Sequence, residues 1–370
     1  MRDDAARPPY TPHVITWLTM LMTGCFQPID ELSSMDTTKV PFENPYITSD
    51  DVFIRLYTSA LSCPGGEDAR FYIVSRDTAA EDAPVAVVLH SGAFDYVLER
   101  SDDGPLDGPH YRTSSRLSAD FGTAKVFETL GMQVDDLDPS EDNMGTLPAV
   151  LADRGFVQLI PANCWGDLWH NEAGPIYYNA EIDGFQRNGR ALAWDMVELA
   201  SNPDMVEIMG LELDFTWNHS ELYLIGLGEG GRGVAELLAR EDLPAVTGAL
   251  VDSAPDDLGP YLKSPDSFAD EIEGLARIFP SDDAETISDW SLAHMAEDIT
   301  MPTNMVYLWS DGDTRLPAGS MSGAANVLAN MPGPWVVNTR EPGHVISNSD
   351  LTRAREIVDF LQTGIKPSSD

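Results

Sequence analysis

Positive charge is what this sequence most lacks: 22 lysines and arginines stand against 61 aspartates and glutamates, for a formal net charge of -39. A field of that sign repels phosphate backbones and anionic lipid, which excludes nucleic acid as a partner. The same surplus keeps a protein soluble where salt screens its self-repulsion. Cysteine is scarce too, with three in 370 residues, so a small fold stapled by disulfides is excluded. No uninterrupted apolar run reaches the roughly 18 residues of a membrane-spanning helix. Internal repeats are absent, and His13, His110, His170, His219 and His294 show no metal-ligand spacing. Neither a metal nor any other cofactor is therefore expected.

Apolar material is plentiful by contrast. Hydrophobic residues make up 43% of the chain and aromatics 9%, enough to bury the core of one large α/β domain. Residues 14–22 form an apolar stretch too short to cross a bilayer, followed by Thr23-Gly24-Cys25. This reads as a secretory segment over residues 1–25, and its ending resembles a bacterial lipoprotein signal, in which the cysteine is lipid-modified and becomes the new N-terminus. That resemblance implies an exported protein held at the cell envelope through Cys25, touching membrane only by that lipid. The alternative is an apolar arm. With Cys25 so used, Cys63 and Cys164 remain as an even pair, either one disulfide in an oxidising compartment or two buried thiols.

Residues 26–50 are polar and proline-spotted, as expected of a flexible tether, and the folded domain is expected over 51–370. A hairpin is predicted from the runs 52–57 and 69–74 around Cys63-Pro64-Gly65-Gly66. Residues 84–89 form a continuous apolar run without alternation, the pattern of a strand buried on both faces; 155–161 reads as a second buried strand, and 222–226, 246–251, 305–309 and 335–337 as further strand candidates. Helical spacing over 185–200 and 351–361 alternates with them, which predicts a doubly wound, mostly parallel sheet. Residues 98–148 are rich in Asp, Gly, Pro and Ser, with patchy helical signal over 123–130, and read as an acidic, lid-like insertion. The loop after the second parallel strand carries Trp165, Trp169 and His170, candidates to line a pocket beside His90 and Ser91.

The most informative segment is Leu222-Tyr223-Leu224-Ile225-Gly226-Leu227-Gly228-Glu229-Gly230-Gly231, a strand, a sharp glycine turn and the start of a helix. It resembles the nucleophile elbow of the α/β-hydrolases, Gly-x-Ser-x-Gly, whose glycines permit a strained turn that lifts a serine above the sheet. Gly226 and Gly230 match the flanks, and Gly228 stands where the serine belongs. Ser310-Asp311-Gly312-Asp313 follows a buried strand and resembles the family's acid loop, with Asp313 in the acid's place and Asp311 the other register. Glu341-Pro342-Gly343-His344 follows the last strand and resembles the histidine loop, so the order nucleophile, acid, histidine is kept. His90-Ser91-Gly92-Ala93-Phe94 is similar to the oxyanion loop. Its main-chain amides at Gly92 and Ala93, with that of Glu229, would form the hole.

The resemblance implies ester, thioester or peptide hydrolysis through an acyl-serine, the one intermediate that glycine cannot form. The first expectation is therefore an impaired or noncatalytic hydrolase-like protein that binds a small molecule, peptide or glycan. A second is an active hydrolase in which His344 and Asp313 activate water directly. A third, from the match of Gly226-x-Gly228-x-x-Gly231 to part of the dinucleotide fingerprint, is a nucleotide-binding enzyme.

Overall fold

Apolar runs that cannot face water on either side must pair into a covered sheet, and they do so here. The computed structural model describes residues 38–41, 51–62, 68–89, 100–101, 110–113, 133–134, 146–161, 189–254, 256, 291–296, 298–313, 321–340, 343, 345–348 and 350–367. These belong to a unit running from Thr37 to Asp370; the other unit, Met1–Asp36, lies outside the described residues, as does Cys25.

In chain order the strands are β1 (Thr38–Pro41), β2 (Val52–Ser62), β3 (Asp68–Arg76), β4 (Val85–Leu89), β5 (Arg100–Ser101), β6 (His110–Thr113), β7 (Gln133–Val134), β8 (Val157–Pro161), β9 (Leu222–Leu227), β10 (Val246–Asp252), β11 (Asn304–Trp309) and β12 (Trp335–Asn338). Nine of them form one sheet in the order β1-β2-β3-β8-β4-β9-β10-β11-β12, while β5, β6 and β7 form a small separate one. The pairs from β8 to β12 are all parallel, and β1, β2 and β3 join antiparallel. The order is not the 3-2-1-4-5-6 of the dinucleotide fold.

The helices are α1 (Thr146–Asp153), α2 (Gly189–Ser201), α3 (Asp204–Ile208), α4 (Glu229–Leu238), α5 (Leu292–Met295), α6 (Ser322–Ala329) and α7 (Leu351–Thr363). α2 lies on β4 and β8 and touches α4, which covers β9 and β10; α1 and α7 pack against each other and onto β8, β10 and β11. Two groups of helices thus cover the sheet. Every residue of β4, β8 and β9 is buried, which explains why their runs show no polar alternation.

Specific polar contacts fix the joints. Asp256 is 1% exposed, and its two carboxylate oxygens accept the N–H groups of Ala293 and Ala324, each at 2.6 Å, so one side chain caps the starts of both α5 and α6. Asp350 starts α7 by accepting the N–H groups of Thr352 and Arg353. Gly364 ends it at φ 70°.

Several boundaries differ from expectation. Residues 38–41 of the expected tether pair with β2 as a sheet edge. That strand was illegible because four residues carry too little period. The hairpin strands run longer than their apolar runs, and α2 is described from Gly189 onward, with residues 185–188 outside the described residues. The acidic segment supplies β5, β6 and β7 and the first residues of α1, whereas 123–130 lies outside the described residues. Among the described residues no helix is long and apolar enough to cross a membrane.

Candidate functional site

Register places the strand ends side by side. Leu89 of β4 and Val251 of β10 both pair with Gly226 of β9, and Val251 pairs with Tyr307 of β11. The loops after β4, β9, β10, β11 and β12 therefore leave from one edge, the carboxyl edge where open parallel sheets place their sites.

The turn after β9 has φ 55° and ψ -124° at Gly228, a backbone region that side-chain-bearing residues enter only under strain. The N–H of Gly228 donates to the carbonyl of Asp252 at 2.8 Å, and the N–H of Gly231 returns to the carbonyl of Gly228 at 2.9 Å. Helix α4 starts at the next residue. A Cβ on Gly226 would lie 2.5 Å from the Gly230 carbonyl and the Gly231 Cα. One on Gly231 would lie 2.9 Å from the Ala254 Cβ. The tight crossing thus falls at Gly226 and Gly231, which accounts for the dinucleotide-like glycines without a nucleotide. Gly228 itself is buried and presents only main chain.

Asp313 sits in the loop after β11, partly exposed, its N–H on the Ser310 carbonyl at 3.3 Å. Asp311 is exposed and accepts the Asn338 amide at 2.8 Å, which ties it to the end of β12. The Ser310 hydroxyl accepts the Gly312 N–H at 3.0 Å, tightening the loop. Gly343, at φ 135°, donates its N–H to the Gly312 carbonyl at 3.4 Å, so the acid loop and the histidine loop are joined.

On the far side of position 344 the backbone is held again. Val345 has φ 55°, uncommon for a β-branched residue, and its N–H donates to the Ser253 Oγ at 3.1 Å. Ser253 follows β10 at φ 53° and donates its hydroxyl to the Asp252 Oδ1 at 2.8 Å. The other oxygen, Asp252 Oδ2, accepts both the N–H of Ser347 at 2.8 Å and its hydroxyl at 2.5 Å. A 3-10 turn, Ile346–Asn348, continues from there, and the Asn348 Oδ1 accepts the Leu147 N–H at 3.2 Å at the start of α1. Asp252, Ser253, Ser347 and Asn348 are all 0% exposed.

Of the expected site residues, the structure describes Gly228, the main chain of Glu229, and Asp313. His90, Ser91, Gly92, Ala93, Trp165, Trp169, His170 and His344 lie outside the described residues, and so do Cys63 and Cys164. Sequence reasoning missed the grouping of Asp252, Ser253 and Ser347. Its one visible signal was an acid and a hydroxyl directly after a buried strand. Among the described residues no group of three His, Cys, Asp or Glu side chains is placed to hold a metal ion.

No protein-family model matches this sequence. Comparison with curated protein sequences finds no relative. Solved structures do resemble it. The acylaminoacyl peptidase of Pyrococcus horikoshii superposes with a TM-score of 0.52 at 13% identity, over 87% of this chain and 43% of the peptidase. This chain thus spans less than half of the peptidase's length. A thermostable esterase from Pseudomonas putida gives a TM-score of 0.49 at 13% identity, over 86% of this chain and 83% of the esterase. The chain has the α/β-hydrolase fold.

Proposed function

We propose that this protein is a hydrolase-fold binding protein that holds a small molecule, peptide or glycan over the carboxyl edge of its sheet and forms no acyl-enzyme. One observation carries the reading. The turn at Gly228 keeps the strand, the helix, the close glycine crossing and the positive-φ backbone of an elbow, yet has no nucleophilic atom. Serine-hydrolase chemistry needs an oxygen there to attack the carbonyl, and main-chain groups alone can only hold a ligand. In this reading the chain is exported and anchored through lipid on Cys25, and its acidic surface keeps it from nucleic acid.

Labelling with a fluorophosphonate tests the central point. The chain as it stands is expected to remain unlabelled, and Gly228→Ser to become labelled at residue 228. Strong labelling of the unaltered protein at any serine, Ser91 and Ser253 being the first to map, would overturn the reading.

A second reading is favoured by the bond between Gly343 and Gly312, which keeps the histidine and acid loops together although the nucleophile is gone. In it, His344 takes a proton from water and Asp313 steadies the resulting imidazolium, so that hydroxide attacks the ester directly. Slow ester turnover that disappears in His344→Ala would favour this reading over pure binding.

A further inference from the structure

We propose that β12, the last strand of the nine-stranded sheet, is a docking edge for a second copy of this chain, and that two copies join there antiparallel into one continuous sheet. The two outer strands are built differently. β1, at the other end, carries Lys39 and Pro41, a charge and a missing donor that discourage further pairing. β12 reads Trp335-Val336-Val337-Asn338, without charge or proline, and each of its residues is half-buried.

Hydrogen bonding fixes which main-chain groups of β12 are left over. The strand lies parallel to β11, with Val336 opposite Tyr307 and Asn338 opposite Trp309, and the Thr339 N–H donates to the Trp309 carbonyl. Successive residues of a strand aim their N–H and C=O groups to opposite sides, so Trp335 and Val337 face β11 as Thr339 does, while Val336 and Asn338 face outward. Among the described residues nothing bonds to the outward main chain of either. The preceding outward carbonyl, that of Pro334, accepts the Lys366 Nζ at 3.1 Å, and the Asn338 side chain is engaged by Asp311 and by the Arg340 N–H. Two donors and two acceptors therefore stay open, on residues two apart.

That set is complementary to itself. In an antiparallel pair with Val337 on a two-fold axis, Val336 of each copy lies opposite Asn338 of the other, and every open group meets a partner. Val337 then faces Val337 of the second copy, a cross-strand contact that suits an uncharged β-branched residue. Helices of both copies flank the seam, since Trp335 packs on Phe360 of α7 at 5.3 Å and α6 lies on the strand. Beside it, next in sequence to the Lys366 that holds Pro334, stands Ile365, at 73% the most exposed large hydrophobic residue among those described. Charge opposes the pairing, because a net -39 on each copy repels, so the dimer tightens as salt screens it. The carboxyl edges of the two copies face opposite ways and neither covers the other.

Sedimentation equilibrium of the full chain, over a dilution series at low salt and at roughly 1 M NaCl, measures the association. The expected result is twice the monomer mass, with a dissociation constant about tenfold smaller at the higher salt. Val336→Pro removes an outward donor and no bond to β11, so circular dichroism should be unaltered while the dissociation constant rises by about tenfold or more. Val337→Cys sets two thiols across the axis at a separation that a disulfide spans, and mild oxidation should give a reducible covalent dimer beyond any formed by the unaltered chain or by Ile208→Cys. A chain that stays monomeric at every concentration and salt overturns the proposal, as does a dimer that Val336→Pro leaves unchanged. Should Val336→Pro fail to fold, the Val337→Cys cross-link decides, and its absence overturns the proposal. A monomer in which the Val336 N–H exchanges slowly with solvent overturns it as well, and shows that another segment of this chain covers the edge.

Discussion

Gly228 and Asp252 are joined main chain to main chain, at 2.8 Å, across the ends of two neighbouring parallel strands. The bond is the last rung of the β9–β10 ladder, running from the carbonyl of Asp252 to the residue that follows its partner Leu227. It holds the elbow at a positive φ that glycine adopts without strain and needs no side chain at 228, so the turn survives the absence of a serine there. Four expectations follow from this geometry and its surroundings.

Restoring a serine should cost stability. Gly228→Ser puts a Cβ on a backbone at φ 55°, and a residue held in a sparsely populated region costs about 1–3 kcal/mol. Urea unfolding of the two proteins should show a lower midpoint for the variant with an unchanged slope. An equal or higher midpoint would mean that serine meets no strain in this turn.

The two flanking glycines should differ in tolerance. At Gly226 an added methyl meets main-chain atoms of Gly230 and Gly231, which cannot move without shifting the helix. At Gly231 the clash is milder, 2.9 Å from the Ala254 Cβ and 3.2 Å from the Val251 Cγ1, although the Ala254 Cβ can move only with its own main chain. Gly231→Ala should therefore cost about 1–3 kcal/mol, as overpacking usually does, and Gly226→Ala more than that. Thermal melts of both variants would check the order.

Asp256 should matter more than a surface acid. Removing its carboxylate in Asp256→Ala leaves the buried Ala324 N–H without its acceptor, at about 1–3 kcal/mol, and the half-buried Ala293 N–H as well, at less. Asp256→Asn keeps one acceptor oxygen and should lose roughly half as much. Chemical denaturation of the pair measures the difference.

Alkali should unfold the protein through its buried phenols. Burial pushes Tyr57 up to about 12, raises Tyr307 well above its ordinary range, and raises Tyr223 with help from its hydrogen bond to Glu221. In the unfolded chain each ionises near pH 10. The folded state then binds more protons than the unfolded one, so stability is fully present below pH ~10 and falls as pH rises toward the folded values. Melting temperature should drop steadily above that point, with phenolate absorbance from these three appearing only on unfolding.

Much of the fold was legible because burial on both faces leaves a plain mark. Val85 to Leu89 and Leu222 to Leu227 admit no polar residue, and both lie where their composition put them. The elbow was legible because its glycines answer to contacts within a few residues. Asp252 was not, since its meaning depends on Ser347, which lies 95 residues further along the chain. Nothing in the local pattern of Val251-Asp252-Ser253 separates an anchor from an ordinary strand end. The strand at residues 38–41 was missed for a related reason: four residues on a sheet edge are recruited by their partner rather than by their own periodicity.

The elbow at Gly228 is also a socket. Its shape is set by main-chain bonds to Asp252 and Gly231 and by the crossing at Gly226, so the residue plugged into it can change while the fitting stays the same. Serine, cysteine or aspartate installed there would each meet the same surrounding loops. Their reactivities could then be compared on one scaffold, with the identity of the nucleophile as the only part exchanged.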